Sequence, residues 1–218
     1  MRDLDIRPLL RRRLVTEFGA DATALIVDEF SLCCGKVRAD MAVINGELKG
    51  FEIKSDQDTL GRLGSQASVY GKVFDTVTIV TGLRHIRKAR RTVPSWWGIF
   101  VAIRESDSTL RLECIRRESA NPRLDPFALI QLIWRDEALG LLRIHNLHVG
   151  LVSKPRKFLW EALVKNFELP ELREMVRTQL KARKDWRSVA SRTQCDVTCR
   201  PSSTSSGFHN WRVSSHSH

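Results

Sequence analysis

Asp40, Glu52 and Lys54 are the residues whose types and spacing can do chemistry. If Phe51-Glu52-Ile53-Lys54 is a strand, its alternation puts Glu52 and Lys54 on one side and Phe51 and Ile53 on the other, so a carboxylate and an amine stand together. Asp40, flanked by apolar Ala39 and Met41, lies one segment earlier, and Asn45-Gly46 is suited to the type I′ turn that folds that segment back towards the same face. Two carboxylates can hold Mg²⁺ or Mn²⁺, which polarises a phosphoryl oxygen and lowers the pKa of a bound water. The Lys54 amine would then orient that water or stabilise developing charge. The constellation predicts metal-dependent hydrolysis of a phosphodiester. A lone Glu-x-Lys is usually a solvated pair, and the predicted hairpin is what gives this one weight.

The elements that must position these residues are legible in the apolar pattern. Leu9, Leu10, Leu14, Val15 and Phe18 recur at helical intervals and predict a helix over residues 4–18. Leu25 to Leu32, Val37 to Ile44 and Leu48 to Lys54 are short, carry β-branched residues and predict three strands. Leu60, Leu63, Ala67, Tyr70 and Phe74 predict a helix over 59–73, and Thr76 to Thr81 a β-branched strand. The order is α-β-β-β-α-β. A basic helix over 84–91 and two more strands, 96–103 and 110–115, extend the pattern. Beyond Pro122 and Pro126 the signal is helical, with segments at 126–134, 137–143, 155–166 and 170–183, several of them starting at proline. Residues from about 188 lose periodicity and turn Ser/Thr-rich, which predicts a disordered tail. The expected organisation is an α/β core over 1–120, a small all-helical accessory subdomain over 121–187 and a tail over 188–218.

With Asp40 ahead of Glu52-Ile53-Lys54 in this order of elements, the chain resembles the PD-(D/E)XK nuclease superfamily, whose restriction-endonuclease-like core is αβββαβ with a mixed sheet. Gln66-Ala67-Ser68-Val69-Tyr70 matches the Gln-x-x-x-Tyr motif of the RecB-type branch, and the resemblance implies that Gln66 and Tyr70 reach towards the site and the nucleic acid. It also implies an upstream acid in the metal site, for which Glu29 matches best, ahead of Asp28 and Glu17. The Pro-Asp of the superfamily is Ala39-Asp40 here. The runs Arg38-Ala39-Asp40, Gly50 to Asp56 and Pro94-Ser95-Trp96-Trp97-Gly98 are similar to a bacterial family of predicted nucleases of this type, and the similarity extends to about Arg187.

A formal net charge of +11 over 218 residues favours a polyanionic partner, nucleic acid and DNA first. The surplus concentrates late, with 13 Lys and Arg against 6 Asp and Glu from residue 151 on, so Lys154, Arg156 and Lys157 are the expected phosphate contacts. Five cysteines, an odd and scattered set, read as reduced thiols, and no apolar run is long enough to span a membrane, so a cytoplasmic protein with no membrane partner is expected. A homo-oligomer is compatible with all of this. No Walker loop, Gly-x-Gly-x-x-Gly or Gly-x-Ser-x-Gly appears, which removes the commonest ATPase, dinucleotide and serine-hydrolase readings. Asp56 and Asp58 read as helix caps rather than metal ligands, and Trp96-Trp97 as core, at least in part, rather than a base-stacking platform. Cys195, Cys199 and His209 lack a regular zinc spacing. The competing reading is a non-catalytic nucleic-acid-binding or scaffold protein on a nuclease fold.

Overall fold

The alternation of β-branched and polar residues becomes a six-stranded mixed sheet, described in a computed structural model over residues 1–106 and 109–183. A helix α1 (Asp3–Phe18) leads into β1 (Leu25–Leu32), β2 (Val37–Ile44) and β3 (Leu48–Lys54), then α2 (Leu63–Tyr70) and β4 (Thr76–Gly82). Next come α3 (Ile86–Thr92), β5 (Gly98–Arg104) and β6 (Leu110–Arg116), and finally α4 (Pro126–Ile130), α5 (Arg135–Ile144), α6 (Arg156–Asn166) and α7 (Leu169–Ala182). The strands lie in chain order, β1 antiparallel to β2 and β2 to β3, then β3, β4 and β5 parallel, with β6 antiparallel at the edge. Parallel neighbours need crossovers, and α2 and α3 supply them.

Each face of the sheet has its own apolar layer. Ile6, Leu10 and Leu14 of α1, four residues apart, cover Met41, Val43, Phe51, Ile53, Val80 and Phe100. The buried stripe is therefore shifted from the expected one, and Val15 is 51% exposed. On the other face, α2 and the helices α4 to α7 share one continuous core with the strands. Trp97 is fully buried there and stacks on Tyr70 at 5.8 Å between centroids. Arg173 of α7 reaches the buried Asp75, at 2.7 Å, and Asp75 also accepts the Leu48 backbone N–H, which ties the helical region to the start of β3 and β4.

Two local expectations are corrected. The β2–β3 hairpin forms, but its loop has three residues, closed by Ile44 opposite Leu48. Neither Asn45 nor Gly46 has positive φ, so the turn is not type I′. Instead the Asn45 side chain accepts the Glu47 N–H, and the Asn45 N–H reaches the Glu47 carbonyl. The helix expected over 59–73 is shorter, because Asp58 turns back to accept both the N–H and the hydroxyl of Ser55, which spends the residues up to Arg62 on a turn. Asp56 takes the terminal ammonium of Met1, so neither aspartate caps α2. All five apolar residues of that stripe are buried nonetheless. The tail and the Cys195, Cys199 and His209 set lie outside the described residues.

Candidate active site

Two strands break their alternation at the same place. Val27 and Phe30 both enter the core beneath α2, as do Ala39 and Ala42, although residues three apart on a regular strand face opposite ways. Between them lie Glu29, with φ of +54°, and Asp40. The β1–β2 pairing runs through Asp28 with Met41 and resumes at Phe30 with Ala39, leaving Glu29 and Asp40 out of the ladder. A non-glycine residue in the left-handed region is strained, and such strain collects at functional positions. The β2–β3 pairing also ends there, at Met41 with Phe51. One step on, Asp40 Oδ2 accepts the Ile53 N–H at 2.6 Å, so a carboxylate replaces a backbone carbonyl where the strands part.

Glu52 stands on the neighbouring turn of the pleat, 2% exposed, and every contact it makes is short. Lys54 Nζ donates to Oε1 at 2.5 Å and Gln66 Nε2 to the same oxygen at 2.6 Å. The Tyr70 hydroxyl lies 2.5 Å from Oε2 and 2.8 Å from the Arg38 carbonyl. One phenolic proton faces two acceptors, and the set is complete when Glu52 itself carries a proton. Burial pushes the Glu52 carboxyl up and the Asp40 charge adds to it, against Lys54 and Tyr70. Burial also raises Asp40, opposed by the Ile53 N–H and Arg7. Burial, followed by the Glu52 charge, raises the Tyr70 phenol and keeps it protonated.

The sequence reading did not find Arg7. Its guanidinium holds Asp3 through two bonds of 3.0 Å, reaches Asp40 Oδ1 at 3.0 Å and the Asp40 carbonyl at 3.0 Å, and lies 3.3 Å from Glu29 Oε1. The Asp3 bonds, with the charges of Asp40 and Glu29 behind them, hold its pKa above the usual arginine value. The spacing of Asp3 and Arg7, one helical turn apart, was a visible signal, whereas their pairing with a strand 33 residues away was not.

The structure thus brings Asp40, Glu52, Lys54, Gln66 and Tyr70 together, with Glu29 joined to Asp40 through Arg7. Among the described residues no three His, Cys, Asp or Glu side chains are gathered as a metal-ligand group, and Glu29 meets Asp40 through the Arg7 guanidinium between them. Lys154, Arg156 and Lys157 lie at the start of α6, where Arg156 stacks over Trp160 and contacts Cys34, Lys154 lies over Phe158, and Lys157 pairs with Glu161. As a donor set, Asp40 and Glu52 offer hard oxygens without sulfur or imidazole, which fits Mg²⁺ or Mn²⁺ better than zinc or copper.

The family model described as Bacteriophage P4 protein cII matches residues 6–199. Protein cII of Enterobacteria phage P4 is 30% identical over 165 residues, and the match takes in 76% of this chain and 61% of that relative's length. A protein of unknown function from Silicibacter pomeroyi aligns in structure with a TM-score of 0.40 and 18% identity, covering 67% of this chain and 96% of that one.

Proposed function

We propose that this chain, which belongs to the bacteriophage P4 protein cII family, is a metal-dependent nuclease that hydrolyses phosphodiester bonds in DNA with Asp40, Glu52 and Lys54. The observation that carries this reading is the carboxylate of Glu52, buried to 2% and held by Lys54, Gln66 and Tyr70 beside the point where Asp40 splits β2 from β3. Burying an acid costs free energy that an apolar residue would not, and buried acids held by specific charge partners collect at functional sites. The order αβββαβ and the mixed sheet, with β2 antiparallel to β1 and β3, support a restriction-endonuclease-like core.

Asp40 and Glu52 would hold the ion, which supplies polarisation of a phosphoryl oxygen and acidification of a bound water. Gln66 and Tyr70 orient the Glu52 carboxylate from α2, one helical turn apart on the same face. Lys54 places its ammonium where charge develops on the phosphoryl oxygens. Lys154, Arg156 and Lys157 add contacts to the nucleic-acid backbone. Metal-dependent cutting of DNA by the wild type, and its loss in Glu52→Ala, test the reading.

A further inference from the structure

The parallel register sets Lys54 beside Thr81, so the chain leaves β3 and β4 on the same edge of the sheet. A Cβ on Gly82 would come within 2.0 Å of Asp56 Oδ1, and Arg84 donates to the Asp56 carbonyl at 3.2 Å. The segment that leads into α3 is therefore packed directly on the turn that follows Lys54. Ala89 and Val93 are buried, while Arg84, Arg87, Lys88, Arg90 and Arg91 are exposed.

Among the described residues, none of these five cations forms an ion pair. Several cations elsewhere are matched, Arg11 with Asp28, Lys157 with Glu161 and Arg177 with Glu174, and what sets α3 apart is five unmatched cations within eight residues. Arg84 with Lys88, and Arg87 with Arg91, sit four apart, where like charges repel and weaken a helix. Arg116 adds a sixth cation on β6, its pKa lowered by burial first and by the charge of Arg90 second. A helix so loaded, with no acid to relieve it, is complementary to a polyanion.

We propose that the exposed face of α3 is a DNA-binding surface that seats the phosphate backbone next to Glu52 and Lys54. The proposal rests on the nuclease reading of that site. Seven residues of helix rise about 10 Å, a length of duplex axis over which one strand carries about three phosphates at roughly 3.4 Å of axis each. Arg84 would mark the end of the track nearest the acids, through its bond to Asp56.

The test titrates a fluorescein-labelled DNA duplex with three full-length proteins in EDTA, so that nothing is cut. They are the wild type, the triple variant Arg87→Gln, Lys88→Gln, Arg91→Gln, and a control of equal charge change, Arg12→Gln, Arg123→Gln, Lys165→Gln. In the α3 variant the slope of log affinity against log salt, between about 50 and about 200 mM, should shrink by roughly 2.7, near 0.9 for each lost contact, and by less than about 1 in the control. Equal losses in both variants, or an unchanged slope in the α3 variant, would overturn the proposal, as would binding to anionic phosphatidylserine vesicles with none to DNA. Calorimetric titration with Mn²⁺ separates the two readings. Undiminished Mn²⁺ binding by the α3 variant supports a surface distinct from the acids. Loss of slope in the α3 variant as expected, beside a wild type that binds no Mn²⁺, would uphold the surface and overturn the reading of Asp40 and Glu52.

Discussion

Tyr70 and Glu52, 18 residues apart in the chain, meet at 2.5 Å between the phenol oxygen and Oε2, in the layer between α2 and the sheet. The ring that carries the phenol is itself fixed, stacked on Trp97 at 5.8 Å and edge-on to Phe74 at 5.4 Å. The apolar core thereby sets the angle of the Glu52 carboxyl. Tyr70→Phe keeps the ring packing but removes the one hydroxyl shared between Glu52 Oε2 and the Arg38 carbonyl. It should lower stability by about 1–3 kcal/mol in urea unfolding, the cost of an unsatisfied buried acceptor. A loss below about 0.5 kcal/mol would show that Glu52 does not depend on the phenol.

Stability should depend on pH through the two acids. Burial first, then the neighbouring acid's charge, raises Glu52, and burial likewise raises Asp40. A carboxyl whose folded pKa lies above its unfolded one stabilises the fold fully below the unfolded pKa and loses that contribution as pH rises through the folded pKa. Relative to Glu52→Gln, which is neutral throughout, the wild type should lose stability as pH climbs from about 4 upward. Added Mn²⁺ should restore it. Denaturant midpoints across pH, with and without Mn²⁺, check this, and parallel curves for the two proteins would refute it.

Arg7 competes for the oxygens that a metal would take, lying 3.0 Å from Asp40 Oδ1 and 3.3 Å from Glu29 Oε1. Arg7→Met should raise Mn²⁺ affinity in calorimetry. It should also lower the stability of the metal-free protein by about 1–3 kcal/mol, because Asp3, Glu29 and Asp40 lose their shared cation. Weaker Mn²⁺ binding in Arg7→Met would assign the arginine a supporting role at the site.

What could be read beforehand divides along physical lines. The three strands of the hairpin region were visible because β-branched residues alternate within short runs bounded by Gly35, Asn45 and Gly46, and their bounds agree with the structure. Glu52 and Lys54 shared a face for the same reason of period two. Arg7 was hidden, since an exposed-looking arginine between Ile6 and Leu10 gives no sign of a strand partner far along the chain. The left-handed Glu29 was equally silent, as a backbone angle forced by tertiary packing leaves no mark on residue type. The Asn45-Gly46 turn misled because local propensity was overridden by a third loop residue, Glu47, and its two hydrogen bonds to Asn45.

At the start of α6, neutralising Lys154, Arg156 and Lys157 together tests whether these residues touch phosphates. If they do, affinity for all sequences should fall alike and the salt slope should shrink by roughly 0.7 to 0.9 per contact. Arg156 over Trp160 and Lys157 beside Glu161 set the competing outcome, in which the slope stays as it was and only stability falls.

Cleavage tests the central claim most directly. Purified, folded protein is incubated with Mg²⁺ or Mn²⁺ and single-stranded, duplex or branched DNA, with RNA alongside, next to Glu52→Ala prepared in the same way. The account predicts that the wild type cuts DNA, that EDTA stops it and that Glu52→Ala cuts nothing while still binding DNA. A homogeneous wild type that cuts none of these substrates with either metal, or a Glu52→Ala that cuts as fast as the wild type, would contradict it.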